Sequence, residues 1–417
     1  MMLAYNMLVW LLFALASPFL CVCALCDFFQ VRRRLFLVEP NAIDSRKSLW
    51  LHGASLGETG VIQKLLPGLR KKYPGMPIVV SSTTATANAY IEKEMVAGIS
   101  HSVYLPFELP LSVRRAFDAI NPSIVVIVET ELWPNFIVHA KKRGARVVLV
   151  NGRLSDRSFP TYRFFRFFFR RVLASIDAIA VQNNDYYKKF LALGVPKERL
   201  SITGNIKQSM VLETTDSAQK ESRKASLGIP LVNRVIIAAS TRPGEEDFVL
   251  AAFAAAQKQL PQASLILAPR HLKRIHEVEK ACQAAGMPFI KKSALDPAVP
   301  AASVIVLDTL GELSRLFAIA DVAFVGGSLA PFGGHNLLEP LPFCVPVCFG
   351  PHCESQRESA RLILENQCGA QVNTWEELTA FIVRMASGNE EREQTTRNIR
   401  TLLARTGLSL KSSLDLI

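Results

Sequence analysis

The sequence predicts an α/β protein of two doubly wound, parallel-sheet halves behind an apolar N-terminal helix. Three observations carry this expectation. Short β-branched runs alternate with helical stretches in two successive series, a polar passage from Gln208 to Pro230 separates the series, and the chain begins with an uncharged apolar run. A length of 417 residues exceeds one ordinary domain and suits two plus an anchor. With 49% hydrophobic and 20% charged residues, the chain lies far from disordered composition and should bury two cores.

The first element, Met7 to Leu25, contains no charged side chain. Crossing a hydrocarbon core takes about 20 apolar residues, so residues 1–29 read as a membrane anchor. A buried core helix is the alternative. A cleaved signal would need a basic start and a small-residue exit, whereas the first charge here is Asp27. Arg32 to Arg34 follow the apolar run, which by the positive-inside rule assigns the remaining chain to the cytoplasm.

The first strand series comprises Leu49–His52, Ile78–Val80, Ile124–Val128, Arg146–Val150, Ala178–Val181 and Leu200–Thr203. The second comprises Val235–Ala239, Leu265–Ala268, Val304–Leu307, Val322–Val325 and Val345–Phe349, with helices expected from Trp375 onward. Alternation of this kind marks βαβ units and a sheet covered on both faces. The domains are therefore expected at 30–208 and 209–417. Sheets of this type bind ligands beyond the carboxyl ends of their strands, here in the cleft expected between the domains.

A net charge of +12 is spread over Arg32–Arg34, Lys141–Arg143, Arg163–Arg171 and Lys291–Lys292, which favours anionic partners. No nucleic-acid-binding module is recognisable, so an anionic membrane surface is the expected partner and nucleic acid is not. The run Thr161 to Arg171 interleaves phenylalanines with arginines and reads as a membrane-facing helix, or as a core helix with snorkelling arginines. Eight cysteines follow no disulfide spacing. Cys344, Cys348, His352 and Cys353 interrupt an apolar run and lack a paired ligand motif, so no metal site is expected.

The segment Gly326-Gly-Ser-Leu-Ala-Pro-Phe-Gly-Gly-His-Asn-Leu-Leu-Glu-Pro340 follows a strand and is expected to open a helix near His335. Its glycines would bring backbone amides up to a phosphate, the helix would add its positive end, and Glu339, one turn in, would accept from a ribose diol. Glu58 ends a glycine-bearing turn and opens a helix. It is either a general base or an acid that complements the helix dipole. Glu129 and Glu131 stand at the end of a strand before Pro134, Lys207 follows the strand Leu200–Thr203, and Arg270 follows Leu265–Ala268.

Leu51-His-Gly-Ala-Ser-Leu-Gly-Glu58, Val128-Glu-Thr-Glu-Leu-Trp-Pro-Asn135, Asn151-Gly-Arg-Leu-Ser155, Gly204-Asn-Ile-Lys207, Ala268-Pro-Arg-His271 and the glycine loop occur in an order and spacing that closely resemble the Kdo transferases of lipopolysaccharide synthesis. The resemblance covers nearly the whole chain and implies the two-Rossmann GT-B fold. It implies Glu58 as general base, and the pair Glu129 and Glu131 in the active site, with Glu131 preferred for positioning the acceptor or steadying the anomeric carbon. Lys207 would offset charge on the departing phosphate. Pro269 and Arg270 would meet the donor nucleotide, Gly311, Glu312 and Leu313 its cytidine ring, and Asn336, Leu337, Leu338 and Glu339 the same donor from the glycine loop.

The implied reaction moves Kdo (3-deoxy-D-manno-octulosonic acid) from the co-substrate CMP-Kdo to the lipid A precursor, lipid IVA, with inversion and without cofactor or metal, at the cytoplasmic face of a bacterial inner membrane. No Asp-x-Asp pair is present, in keeping with metal independence. A GT-B enzyme using a UDP-sugar and a non-catalytic scaffold are the alternatives. The scaffold would have no reason to keep Glu58, Glu131 and Lys207 together. The connection Leu35 to Lys47 matches no motif of the family.

Overall fold

The computed structural model describes residues 2–25, 30–35, 46–210, 212–296 and 302–417; Asp27 and most of the connection 35–47 lie outside them. The described chain divides into two compact units, one of residues 1–209 with 408–417 and one of residues 210–407. Each contains one seven-stranded sheet whose strands all pair in parallel.

The first sheet holds β1 (Ser48–His52), β2 (Ile78–Ser82), β3 (His101–Tyr104), β4 (Pro122–Val128), β5 (Arg146–Gly152), β6 (Ala178–Val181) and β7 (Leu200–Ile202), in spatial order β3-β2-β1-β4-β5-β6-β7. Its inner strands are apolar on both sides because helices cover both. Trp50, Val125, Ile127, Val147 and Leu149 enter one core, and Leu49, Leu51, Val126, Val128 and Val148 enter the other. The direction of winding reverses between β1 and β4. A parallel sheet opens a crevice at such a reversal, at the carboxyl ends of the two strands.

The second sheet holds β8 (Arg234–Thr241), β9 (Ala263–Pro269), β10 (Phe289–Lys291), β11 (Val304–Val306), β12 (Val322–Val325), β13 (Val347–Phe349) and β14 (Gly369–Gln371), in order β10-β11-β9-β8-β12-β13-β14. Ile236, Ala238 and Phe324 face one core, and Val235, Ile237 and Ala323 the other. Here the reversal falls between β8 and β12.

Two expectations change. The last ten residues, assigned to the second domain by sequence, belong to the first unit, where Leu410, Leu414 and Leu416 pack on a core that Ile417 enters. Tyr73 Oη donates to the carbonyl of Ile417 at 2.9 Å, and Ser413 Oγ to Thr203 Oγ1 at 3.2 Å. The polar passage Gln208 to Pro230 holds the helix Ser217–Ser226, capped by the Asp216 carboxylate. The aromatic run Thr161–Arg171 divides between two helices, Phe159–Phe164 and Arg166–Leu173. Phe168 and Phe169 pack on the core, while Phe164 and Phe167 remain 80% and 67% exposed.

At the N-terminus, Met2–Leu25 is one helix, long and apolar enough to cross a membrane, with most of its side chains outside any protein core.

Candidate active site

In the first unit, the crevice at the reversal of winding collects the acids singled out in the sequence. β1 runs into an extended turn, and the helix Leu56–Lys72 starts at Leu56, so Glu58 sits in its first turn. The Glu58 carboxylate curls back over that turn, accepting from the Ala54 amide at 2.5 Å and from Ser55 Oγ at 3.0 Å. Burial pushes its pKa up, and the nearby carboxylates of Glu131 and Glu129 push the same way against those two hydrogen bonds. A carboxylate so raised holds a proton more firmly, which is what a general base must do as it takes one.

β4 delivers the other two acids. Glu129 adopts a left-handed backbone, φ +62°, uncommon for a residue with a side chain and concentrated at functional sites. Its buried carboxylate pairs with the Lys207 ammonium and, at 3.5 Å, with Arg153. Glu131 accepts from the Trp133 indole at 2.8 Å and faces buried His52 Nε2 at 3.9 Å, beyond hydrogen-bond range but close enough for attraction. Burial alone would raise the Glu131 pKa, but His52 and Trp133 outweigh it and hold the group below the ordinary carboxylate range.

Lys207 lies on the turn Ile206–Gln208, held at both ends. Asn151 Oδ1 accepts from the Ile206 amide at 2.9 Å, and Lys64 donates to the carbonyls of Lys207 and Ser209 at 2.6 and 2.8 Å. The ammonium end of Lys207 passes beside Gly57, where a methyl would make ordinary contact with Nζ at 3.4 Å. Lys207, expected against the donor's phosphate, pairs its partly exposed ammonium with Glu129. His52, Lys64 and Arg153 were given no role from the sequence. His52 and Arg153 carried a signal, in the Leu51-His-Gly and Asn151-Gly-Arg runs, and Lys64 none.

In the second unit the reversal brings together the loops after β8 and β12, and two sequence expectations fail there. No helix opens near His335: residues 337–340 form a turn and Leu341–Phe343 a single 3-10 turn. Pro340 and Pro342 lack amide protons, so neither can donate to an α-helical hydrogen-bond ladder running on from His335. Glu339 therefore stands in a turn rather than one turn into a helix. Burial raises its pKa and the charge of Arg270 opposes the rise.

Three of the glycine loop's amides are also occupied. The buried carboxylate of Glu245 accepts from Gly327, Ser328 and Leu329 N–H at 2.7, 2.9 and 2.9 Å and from Arg242 N–H at 2.8 Å. Gly326 must lack a side chain because a methyl would meet Glu245 Oε2 at 2.5 Å. A sequence signal for Glu245 existed: Gly244-Glu245 opens the first helix of its sheet as Gly57-Glu58 does in the other unit.

Around this loop gathers positive charge. Arg242 Nε donates to His335 Nε2 at 3.1 Å, its Nη1 lies 2.9 Å from His271 Nε2, and its guanidinium stacks 4.9 Å from the Phe332 ring centre. Burial first, then Arg242, Arg270 and His271, depress the His335 pKa to about 4. Arg270 follows β9, whose last residue is Pro269. Leu337 is wholly buried in a core, so only its backbone is available to a ligand, whereas Asn336 is exposed and Leu338 half-buried. Beyond β11, Gly311 takes φ +79°, Leu313 begins a short helix, and Glu312 is tied to Lys292 at 2.9 Å and to Thr309. Among the described residues, no group of three or more His, Cys, Asp or Glu could hold a metal ion.

A family model described as "3-Deoxy-D-manno-octulosonic-acid transferase (kdotransferase)" matches residues 30–210. A 3-deoxy-D-manno-octulosonic acid transferase of Haemophilus influenzae is 33% identical, covering 89% of this chain and 86% of that protein. One of Chlamydia muridarum is 30% identical over 92% of this chain and 88% of its own length. The two-sheet fold is shared with a UDP-GlcNAc 2-epimerase of Neisseria meningitidis, at a TM-score of 0.54, 12% identity, and coverage of 89% of this chain and 99% of that one.

Proposed function

We propose a donor, an acceptor and a base for this chain, which belongs to the Kdo transferases, a family of glycosyltransferases. Kdo passes from CMP-Kdo to a hydroxyl of the lipid A precursor, lipid IVA, with inversion and without a metal. Glu58 takes the proton of the acceptor hydroxyl as its oxygen bonds to the anomeric carbon, and the bond from that carbon to the CMP phosphate breaks. One attack from the face opposite the leaving group inverts the centre.

The observation that carries this reading is the state of Glu58. It lies at the carboxyl end of β1, beside the reversal of winding, and burial together with two neighbouring carboxylates raises its affinity for a proton. Glu131, kept anionic by Trp133 and His52, orients the acceptor and opposes positive charge growing at the anomeric carbon. Lys207 and Arg153 balance Glu129, so that three carboxylates tolerate one another in one crevice. In the second unit, Arg270, Glu339, Asn336 and the loop Gly311-Glu312-Leu313 receive the CMP portion.

The helix Met2–Leu25 anchors the enzyme in a bacterial inner membrane, with the catalytic units on the cytoplasmic side. Exposed Phe164 and Phe167 enter the interface while Arg163 and Arg166 meet anionic headgroups.

The test is transfer by detergent-solubilised protein supplied with lipid IVA and CMP-Kdo generated in situ, with products read by mass spectrometry. Wild type adds Kdo, whereas Glu58→Ala loses about 10²–10⁴-fold in rate while keeping its affinity for CMP. A folded wild type that adds none removes the Kdo assignment, and a Glu58→Ala variant of undiminished rate removes the base.

A further inference from the structure

Of the two devices by which the glycine loop was expected to hold an anion, the helix end is missing and the amides are in part taken. Its amides at Gly327, Ser328 and Leu329 are filled by the chain's own carboxylate, Glu245, and the turn after His335 presents no helix end. With those three amides filled, side chains near the reversal between β8 and β12 become candidate receivers of an anionic group.

Arg242 has the properties of such a receiver. It follows β8 directly, and its own amide is fixed by Glu245, which ties its backbone to the glycine loop. Its guanidinium is aimed by two imidazoles and a ring face rather than by an acid. His335 Nε2 accepts from Nε, His271 Nε2 lies beside Nη1, and Phe332 supports the plane. This choice of partners matters. A carboxylate would orient the guanidinium and also cancel its charge, whereas an uncharged imidazole that accepts a hydrogen bond orients it and leaves the charge for a ligand. His335 can accept at Nε2 only while that nitrogen is unprotonated, and its depressed pKa keeps it so at neutral pH. Among the described residues no carboxylate lies within ion-pair distance of Arg242, whereas fourteen other arginine and lysine side chains among them have one. Nη2 has no hydrogen-bond partner there either.

We propose that Arg242, held by His271 and His335, is the residue that binds the anionic group of the sugar-nucleotide donor, an assignment that rests on the donor being CMP-Kdo. That donor carries two anions, the phosphate and the carboxylate of the sugar. A planar fork of N–H donors suits either.

The experiment measures CMP affinity by titration calorimetry and the donor KM in the transfer assay, for wild type, Arg242→Ala and Arg242→Gln, with thermal melts to establish folding. Loss of CMP affinity by about tenfold or more identifies the phosphate as the bound group. Unchanged CMP affinity with a donor KM raised by about tenfold or more identifies the sugar carboxylate. Either result supports the assignment. If Arg242→Ala does not fold, Arg242→Gln, of similar reach and no charge, carries the same comparison. A folded neutral variant with wild-type CMP affinity and wild-type donor KM overturns it. A wild type that neither binds CMP nor transfers Kdo fails at the donor itself, and so is distinguishable from an error about Arg242 alone.

Discussion

Glu245→Gln should open the glycine loop, because the native carboxylate receives four N–H donors and offers none. Its Oε2 accepts from Arg242 and Gly327, and its Oε1 from Ser328 and Leu329. An amide of the same shape keeps one accepting oxygen and turns an NH₂ group toward the other pair of donors. Two amides in a wholly buried site then lose their partner, at about 1–3 kcal/mol each, or about 2–6 kcal/mol for the pair. Local opening is read by hydrogen exchange with mass spectrometry on peptides spanning 322–334 in the detergent-solubilised enzyme. At about 1.4 kcal/mol per tenfold, protection should fall at least about 30-fold. Peptides of the first unit serve as the internal reference. Protection within threefold of wild type would refute the claim that Glu245 organises the loop.

Two further outcomes follow from groups away from the reacting atoms. Glu108 is half-buried against the start of the helix Pro134–Lys142, where it accepts from the Asn135 amide, and desolvation pushes its pKa up to about 7. Between the ordinary carboxylate range and pH 7 the native chain therefore keeps a proton that the unfolded chain releases. Its stabilising contribution is complete below that range and lost as pH rises through 7. Glu108→Gln should be nearly neutral at pH 5 and gain stability relative to wild type at pH 8 in urea titrations; a difference that does not vary with pH would contradict this. Replacing both Phe164 and Phe167 by serine removes two exposed rings from the proposed interface. In anionic vesicles the apparent KM for the lipid acceptor should rise about tenfold with kcat in detergent unchanged, and equal KM values would remove the surface role.

How much of this could be read in the residues depends on where each element's signal resides. Inner strands such as Ile124–Val128 and Val322–Val325 are covered on both faces, and an unbroken apolar run records that burial locally. The strands left unassigned, His101–Tyr104, Phe289–Lys291 and Gly369–Gln371, are the sheet edges β3, β10 and β14. An edge strand need not be apolar throughout, and these carry His101, Ser102, Lys291 and Gln371. The missing helix at His335 left a local trace in the spacing of Pro340 and Pro342, outweighed by the glycines before it. Lys64 left none. Its role consists of two carbonyls 143 and 145 positions away, and a lysine on a helix looks the same in sequence with or without them.

The two Gly-Glu openings separate what a motif specifies from what its surroundings decide. Gly57-Glu58 and Gly244-Glu245 each lie at the start of the first helix after the strand beside the reversal of winding, and each glutamate bends back to accept from an amide of the preceding turn. To that point sequence and local geometry coincide. What differs is the loop delivered by the neighbouring strand. β12 brings three amides to Glu245 and fills its carboxylate. β4 brings Glu129 and Glu131 toward Glu58, neither of them a donor, so that carboxylate keeps accepting capacity and an elevated pKa. The first arrangement produces a structural clasp and the second a proton acceptor, and the cause is a contact about 70 to 80 residues along the chain from each glutamate.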